Sequence, residues 1–151
     1  MFREIMNNPG LLPKLVVFHF RIGQKIRNII LLKHVWILVD FVFLRLLLNC
    51  ELRVNTEIGT GLKIFHPYNI IINDGVKIGE NCILRHNTTI GNNGRNKLCP
   101  KLGDNVNIGC GAVIIGEVVI GNDSYIGANT LVNKSFKENS VIVGFAGKDK
   151  G

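Results

Sequence analysis

The chain has 151 residues, room for one domain and a small appendage, and its 46% apolar content is enough for a buried core. With 17 Gly and only 19% charged residues it suits tightly wound β architecture better than a helical bundle. The net charge of +7 is uneven: residues 1–50 hold seven Lys/Arg against Glu4 and Asp40. An anionic partner would therefore meet the N-terminal segment. The sequence has neither Arg-rich runs nor aromatic–basic interleaving, which excludes a nucleic-acid surface.

The first unit is residues 1–50. Across 11–49 apolar stretches are broken by Lys14, Arg21, Lys25, Arg27, Lys33, Asp40 and Arg45, a helical pattern, after an early break at Pro9-Gly10 and Pro13. The stretch Ile29–Leu48 is as long as a membrane span. Lys33, His34, Asp40 and Arg45 lie inside it, and central charges cost roughly 2.5–3.5 kcal/mol each on insertion. Two arrangements, which are not exclusive, are expected instead. The helices pack on the first coil of the next domain and on neighbouring subunits, or a basic helix rests on an anionic leaflet with Trp36 and the Phe residues as anchors. His19 and His34, within this segment, read as structural or surface residues.

From Leu52 to Val132 an aliphatic residue returns at every sixth position. One register reads Leu52, Ile58, Ile64, Ile70 and Val76. The second reads Ile78, Leu84 and Ile90, then Leu102, Ile108, Ile114, Ile120, Ile126 and Val132. A two-residue insertion near Asp74-Gly75 separates them. Period six fits neither an amphipathic helix nor an alternating strand. It fits a triangular solenoid with one short strand per side, the aliphatic residue inside each rung and Gly or Asn at the tight corners. Asn81, Asn105, Asn122 and Asn129 suit those corners. The expected fold is mainly β: a single-stranded parallel β-helix over 51–137, with a helical segment before it and a tail over 138–151. Residues 92–100 are polar, break the beat and form a projecting loop, the kind of element that carries function.

Cys50, Cys82, Cys99 and Cys110 form no C-x-x-C pair and no close Cys/His cluster, which argues against a zinc site or a disulfide framework. Scattered thiols without a signal peptide read as reduced cysteines of a cytoplasmic protein.

His66 and His86 each stand two positions after a rung aliphatic, Ile64 and Leu84, and are 20 residues apart. One coil plus the insertion stacks them on one face in adjacent coils, beside the projecting loop. Acyl transfer to an alcohol needs a base for the hydroxyl proton, and imidazole, with a pKa near 6.5, contributes roughly 10²–10⁴-fold. A carboxylate can orient such a base, and corner N–H groups can hold the oxyanion.

The run Gly59-Thr60-Gly61-Leu62-Lys63-Ile64-Phe65-His66 resembles the catalytic segment of the serine acetyltransferases. So do Thr89-Ile90-Gly91, Pro100–Val106 and Ile108–Ala112. The resemblance covers residues 50–148 and implies that the β-helix is left-handed and that His66 is the general base. The family's supporting Asp, fifteen residues upstream, is matched by Glu51. Where that family has an Asp before the His and Arg-His-Pro-Lys closing its loop, this chain has Phe65 and Leu98-Cys99-Pro100-Lys101. The missing groups help hold serine, and charge-assisted partners are worth roughly 1.5–3 kcal/mol each, so serine is a weakened acceptor.

The run Leu84-Arg85-His86-Asn87-Thr88-Thr89-Ile90-Gly91-Asn92, with Cys99-Pro100, resembles acetyltransferases of colanic-acid and exopolysaccharide clusters. That implies an acetyl group placed on a sugar hydroxyl of a surface polysaccharide or its lipid-linked precursor, at the inner face of the membrane. Arg85, His86, Phe65 and Cys99 would then shape the acceptor pocket, with His86 positioning the acceptor. Serine O-acetyl transfer, a step of cysteine biosynthesis, is the alternative.

The resemblance further implies acetyl-CoA as co-substrate, no metal, and a homotrimer with sites between subunits. The pantetheine arm would lie against backbone groups of Gly109, Gly111, Ala112, Gly127 and Ala128, with Lys134 and Lys148 at the nucleotide phosphates. The family's C-terminal Gly-x-Pro-Ala-Lys/Arg reads Gly144-Phe145-Ala146-Gly147-Lys148 here, without the proline. A zinc hydratase on the same prism, like the gamma-type carbonic anhydrases, needs three His where only His66 and His86 stand. A non-catalytic scaffold is opposed by the pairing of His66 with Glu51.

Overall fold

The six-residue beat folds into a three-sided parallel β-solenoid, as a computed structural model describing residues 1–144 shows. Its first face stacks β1 (Glu51–Leu52), β4 (Ile71–Ile72), β7 (Thr89–Gly91), β10 (Val113–Ile115) and β13 (Leu131–Val132). The second stacks β2 (Glu57–Ile58), β5 (Lys77–Ile78), β8 (Lys101–Leu102) and β11 (Val119–Ile120). The third stacks β3 (Lys63–Phe65), β6 (Ile83–Arg85), β9 (Asn107–Ile108), β12 (Tyr125–Ile126) and β14 (Val141–Ile142). In each strand one side chain points inward, and these aliphatics form a single continuous core. The prism continues beyond residue 137, because β14 pairs with β12 inside the stretch expected as a tail.

The register corrects the placing of the two-residue insertion. Ile72, not Ile70, pairs with Leu52 above and Ile90 below. The extra residues therefore lie in the corner between Phe65 and Ile71, not near Asp74-Gly75. Ile70 is buried as well and fills the widened corner. The consecutive aliphatics Ile70-Ile71-Ile72 hide this shift from a count of sixes.

Most corners turn through residues with positive φ, where Asn is better tolerated than other side chains. Asn81, Asn105 and Asn129 do so, with φ of 55°, 56° and 53°. In the remaining case Asp123, not Asn122, takes φ 57°. Asn122 instead accepts the Asp104 N–H through its side-chain oxygen at 2.9 Å.

A solenoid end exposes unpaired backbone groups and has to be covered. Here α1 (Phe2–Met6) and α2 (Leu11–Ile26) cover it. Asn8 donates to the Leu62 carbonyl at 2.9 Å and accepts the Ile64 N–H at 2.8 Å. Glu4 accepts the Leu62 N–H at 2.9 Å. Arg21, paired with Glu4 at 2.6 Å, donates to the Ile58 carbonyl at 2.8 Å, and Gln24 donates to that of Thr56 at 3.1 Å. Side chains thus replace the missing neighbouring coil. Next, α3 (Ile30–Asp40) runs into a π-helical turn, Phe41–Leu46. It is anchored by Asp40 on His19 at 3.1 Å and by Trp36, whose ring stacks on His19 at 4.6 Å. No helix among the described residues is long and apolar enough to cross a membrane.

Candidate active site

Four successive corners between the third and first faces form one edge of the prism. Phe65 pairs with Arg85, and the β6–β9 and β9–β12 registers carry that column on to Gly109 and Gly127. The following residues make the next column: His66, His86, Cys110 and Ala128. The edge thus begins with two imidazoles and continues into corners almost free of side chains.

His66 is exposed and sits in the widened corner with φ 54°. Its ring meets that of His86 edge-on, with centroids 5.8 Å apart and planes at 79°. Adjacent coils thus bring the two histidines together on one edge. Nδ1 of His86 is buried and has no hydrogen-bond partner among the described residues. Buried polar atoms are usually paired, so this nitrogen is an exception in the fold. Phe65 lies beneath the Arg85 guanidinium, 5.4 Å from it. Arg85 is turned along the edge, donating to Asn107 Oδ1 at 2.5 Å and to the Ile108 carbonyl at 2.9 Å.

Glu51 stands on β1, opposite Ile71. Its carboxylate lies 3.9 Å from Arg45 and 3.5 Å from Arg53, and no hydrogen bond joins it to His66 among the described residues. Cys99 and the loop over 92–100 leave the prism at another edge, between the first and second faces. Within one chain they are therefore not beside the histidines. Cys99 is buried with its Sγ 3.5 Å from the Asp74 carbonyl, and burial pushes its thiol pKa up.

Gly109, Gly111, Ala112, Gly127 and Ala128 all fall on the histidine edge. The coils approach so closely there that a Cβ on Gly109 would stand 2.5 Å from the Ala128 nitrogen. Gly111 turns at φ 70°. Lys134 is exposed on the neighbouring edge, with Nζ 5.5 Å from the centre of the Phe136 ring. Lys148 and the Gly144–Lys148 motif beyond its first residue lie outside the described residues.

One part of the site was not anticipated. Pro9, Leu11, Leu12 and Pro13 face Phe65, His66 and Tyr68 across a cleft of about 410 Å³. The Pro9-Gly10 break was visible in the sequence. Its place beside His66 follows from the long-range clamp of Asn8 on β3, which no local pattern shows. No group of three or more metal-binding side chains occurs among the described residues.

Residues 99–134 match the family described as bacterial transferase hexapeptide (six repeats). The chain is 31% identical over 133 residues to the protein named for colanic acid biosynthesis acetyltransferase, WcaB, of Escherichia coli (strain K12), covering 85% of this chain and 81% of that one. It is 34% identical over 108 residues to the serine acetyltransferase of Mycobacterium tuberculosis, covering 70% and 47%. The crystal structure of Brucella abortus serine acetyltransferase in complex with coenzyme A superposes with a TM-score of 0.77 at 23% identity, covering 93% of this chain and 56% of that one. The chain spans about half the length of these serine acetyltransferases. The fold is thus the left-handed parallel β-helix with N-terminal helices. The chain belongs to the hexapeptide-repeat acetyltransferases and is an acyltransferase of that family.

Proposed function

We propose that the protein moves an acetyl group from acetyl-CoA to a sugar hydroxyl of a surface polysaccharide or its precursor, with His66 as general base. The observation that carries this is the single edge on which two imidazoles, meeting edge-on, run into a strip of corners rich in Gly and Ala. The arm of acetyl-CoA, bound along Gly109, Gly111, Ala112, Gly127 and Ala128, would bring its thioester up to His66. His66 takes the hydroxyl proton as the oxygen attacks the thioester carbonyl. Corner N–H groups stabilise the oxyanion. The C–S bond then breaks, and the imidazolium returns its proton to the departing sulfur. Lys134 and Lys148 would meet the nucleotide phosphates. No metal is assigned a role.

The acceptor end favours a glycan over an amino acid. The cleft beside His66 is lined by prolines, leucines, Phe65 and Tyr68, and no Asp, Glu, Lys or Arg is among its described lining residues to pair with an ammonium or a carboxylate. His86, whose ring meets that of His66 on the same edge, would position the acceptor. Glu51 supports His66 only if its carboxylate leaves Arg45 and Arg53, so Glu51→Gln tests that role separately. The loop carrying Cys99 lies at a different edge, and a homotrimer would bring the loop of a second copy to the histidines. The proposed setting is the cytoplasm, at the inner face of the membrane where lipid-linked glycans are built.

The test is thiol release from acetyl-CoA against nucleotide sugars, oligosaccharides and serine. Turnover with a saccharide and not with serine is expected, falling roughly 10²–10⁴-fold in His66→Ala. Turnover with serine alone would overturn the acceptor assignment and leave the donor and base in place.

A further inference from the structure

We infer that the outer face of α3 and the π-helical turn is a docking surface for an anionic lipid bilayer. This inference rests on no assumption about the acceptor. A helix on a globular protein usually turns its apolar stripe inward. Here the polarity is inverted. Asp40 is buried, whereas Ile30, Leu31, Leu38 and Leu46 are 77%, 75%, 65% and 64% exposed, and Val35 and Val42 are exposed with them. The stripe continues for four turns and is far wider than the scattered exposed aliphatics of an ordinary surface.

Charge decides between the occupants of such a face. The only acids of the segment, Glu4 and Asp40, are buried and held by Arg21 and His19 at 2.6 and 3.1 Å. Among the described ion pairs none engages Lys14, Lys25, Arg27 or Lys33. Lys33 stands on α3 itself and Lys14, Lys25 and Arg27 on or just after α2, so the helical segment that carries the apolar face is net positive. Two copies meeting through this face would bring like charges together. An anionic leaflet complements them and accepts the leucines at the level of its headgroups. Since no described helix is long enough to span, the surface lies on the membrane without crossing it.

The experiment is co-sedimentation of the whole protein with phosphatidylcholine vesicles, with and without phosphatidylglycerol, at low and high salt. Binding is expected on the anionic vesicles only, weakened by salt and reduced roughly tenfold or more in Leu31→Glu/Leu38→Glu, which places two charges against the apolar layer. Both sites are exposed, so the variant should melt at the wild-type temperature and retain acetyl-CoA turnover on a soluble acceptor. That turnover reads catalysis independently of docking. Absence of binding to anionic vesicles, or equal binding by the variant, overturns the inference. So does a fall in sedimentation mass on substitution, which would make the face a contact between copies.

Discussion

Replacing Asn8 with alanine tests whether side chains close the end of the solenoid. Asn8 is buried, and its amide holds two backbone groups at the start of β3: the Leu62 carbonyl just before the strand at 2.9 Å and the Ile64 N–H within it at 2.8 Å. Leu62 and Ile64 are fully buried, so water has little access to either group. A buried polar group left unpaired costs about 1–3 kcal/mol, which gives about 2–6 kcal/mol for the two, toward the lower end where the helix shifts to admit water. Against a domain stability of about 5–15 kcal/mol this is a large fraction. Urea unfolding would be followed by far-UV circular dichroism for the prism and by fluorescence of Trp36, the one tryptophan, for the helical cover. Asn7→Ala, at an exposed neighbouring position, serves as control. A change under about 0.5 kcal/mol, the range of ordinary surface substitutions, would refute the capping argument.

Three further outcomes follow from the edge and the core. Gly109→Ala points its Cβ at the backbone of the next coil, 2.5 Å from the Ala128 nitrogen. Because backbone cannot give way as a side chain can, the variant should lose both thermal stability and coenzyme A binding; unaltered melting and binding would show that the coils are less tightly apposed. Cys110 is the one thiol of the four that is not buried, and it stands between His86 and Ala128 on that edge. Alkylation at neutral pH should modify it first, and coenzyme A should protect it; labelling unaffected by coenzyme A would remove the donor strip from this edge. Burial pushes the Cys82 thiol from 9.0 up to about 11. The unfolded thiol therefore ionises first as pH rises, so this contribution is complete below pH 9.0 and declines towards about 11, by roughly 1.4 kcal/mol per unit. Cys82→Ala should flatten the alkaline fall in urea stability; equal slopes would contradict it.

The prism was legible because its core rule is one-dimensional: an aliphatic residue every six positions fixes the rungs, and the rungs fix which residues share an edge. That rule was enough to bring His66 and His86 together and to align Gly109 with Gly127. It failed where the local pattern is degenerate. Ile70, Ile71 and Ile72 are interchangeable to a reader counting sixes, and only pairing with Leu52 and Ile90 selects Ile72. Asn122 and Asp123 both tolerate a left-handed turn, and the hydrogen bond from Asp104 to Asn122 leaves the turn to Asp123. Packing of the helices on the first coil was expected, but the particular side chains that make the contact were beyond reach. Nothing near Asn8 indicates that its amide substitutes for a β-strand fifty-six residues away, nor that Pro9 and Leu11 therefore border His66.

The two ends of the histidine edge obey different physical constraints, which explains how one fold can serve different acceptors. The corner at Gly109 is held by backbone apposition between coils, and a side chain at Gly109 or Gly111 meets the next coil, at Gly111 through the Asn129 side chain. A donor bound there meets a surface that substitution cannot reshape without damage to the prism. At the other end the corner is two residues longer, presents Phe65, His66 and Tyr68, and is faced by a segment of the helical unit. Those side chains are set by few packing requirements: Tyr68 is exposed, and Pro9 and Leu11 border solvent. Phe65 at this corner offers no charge for a zwitterion to pair with. On the proposed reading the donor site is tied to the fold, while the acceptor is chosen by the widened corner and the helices that cover it.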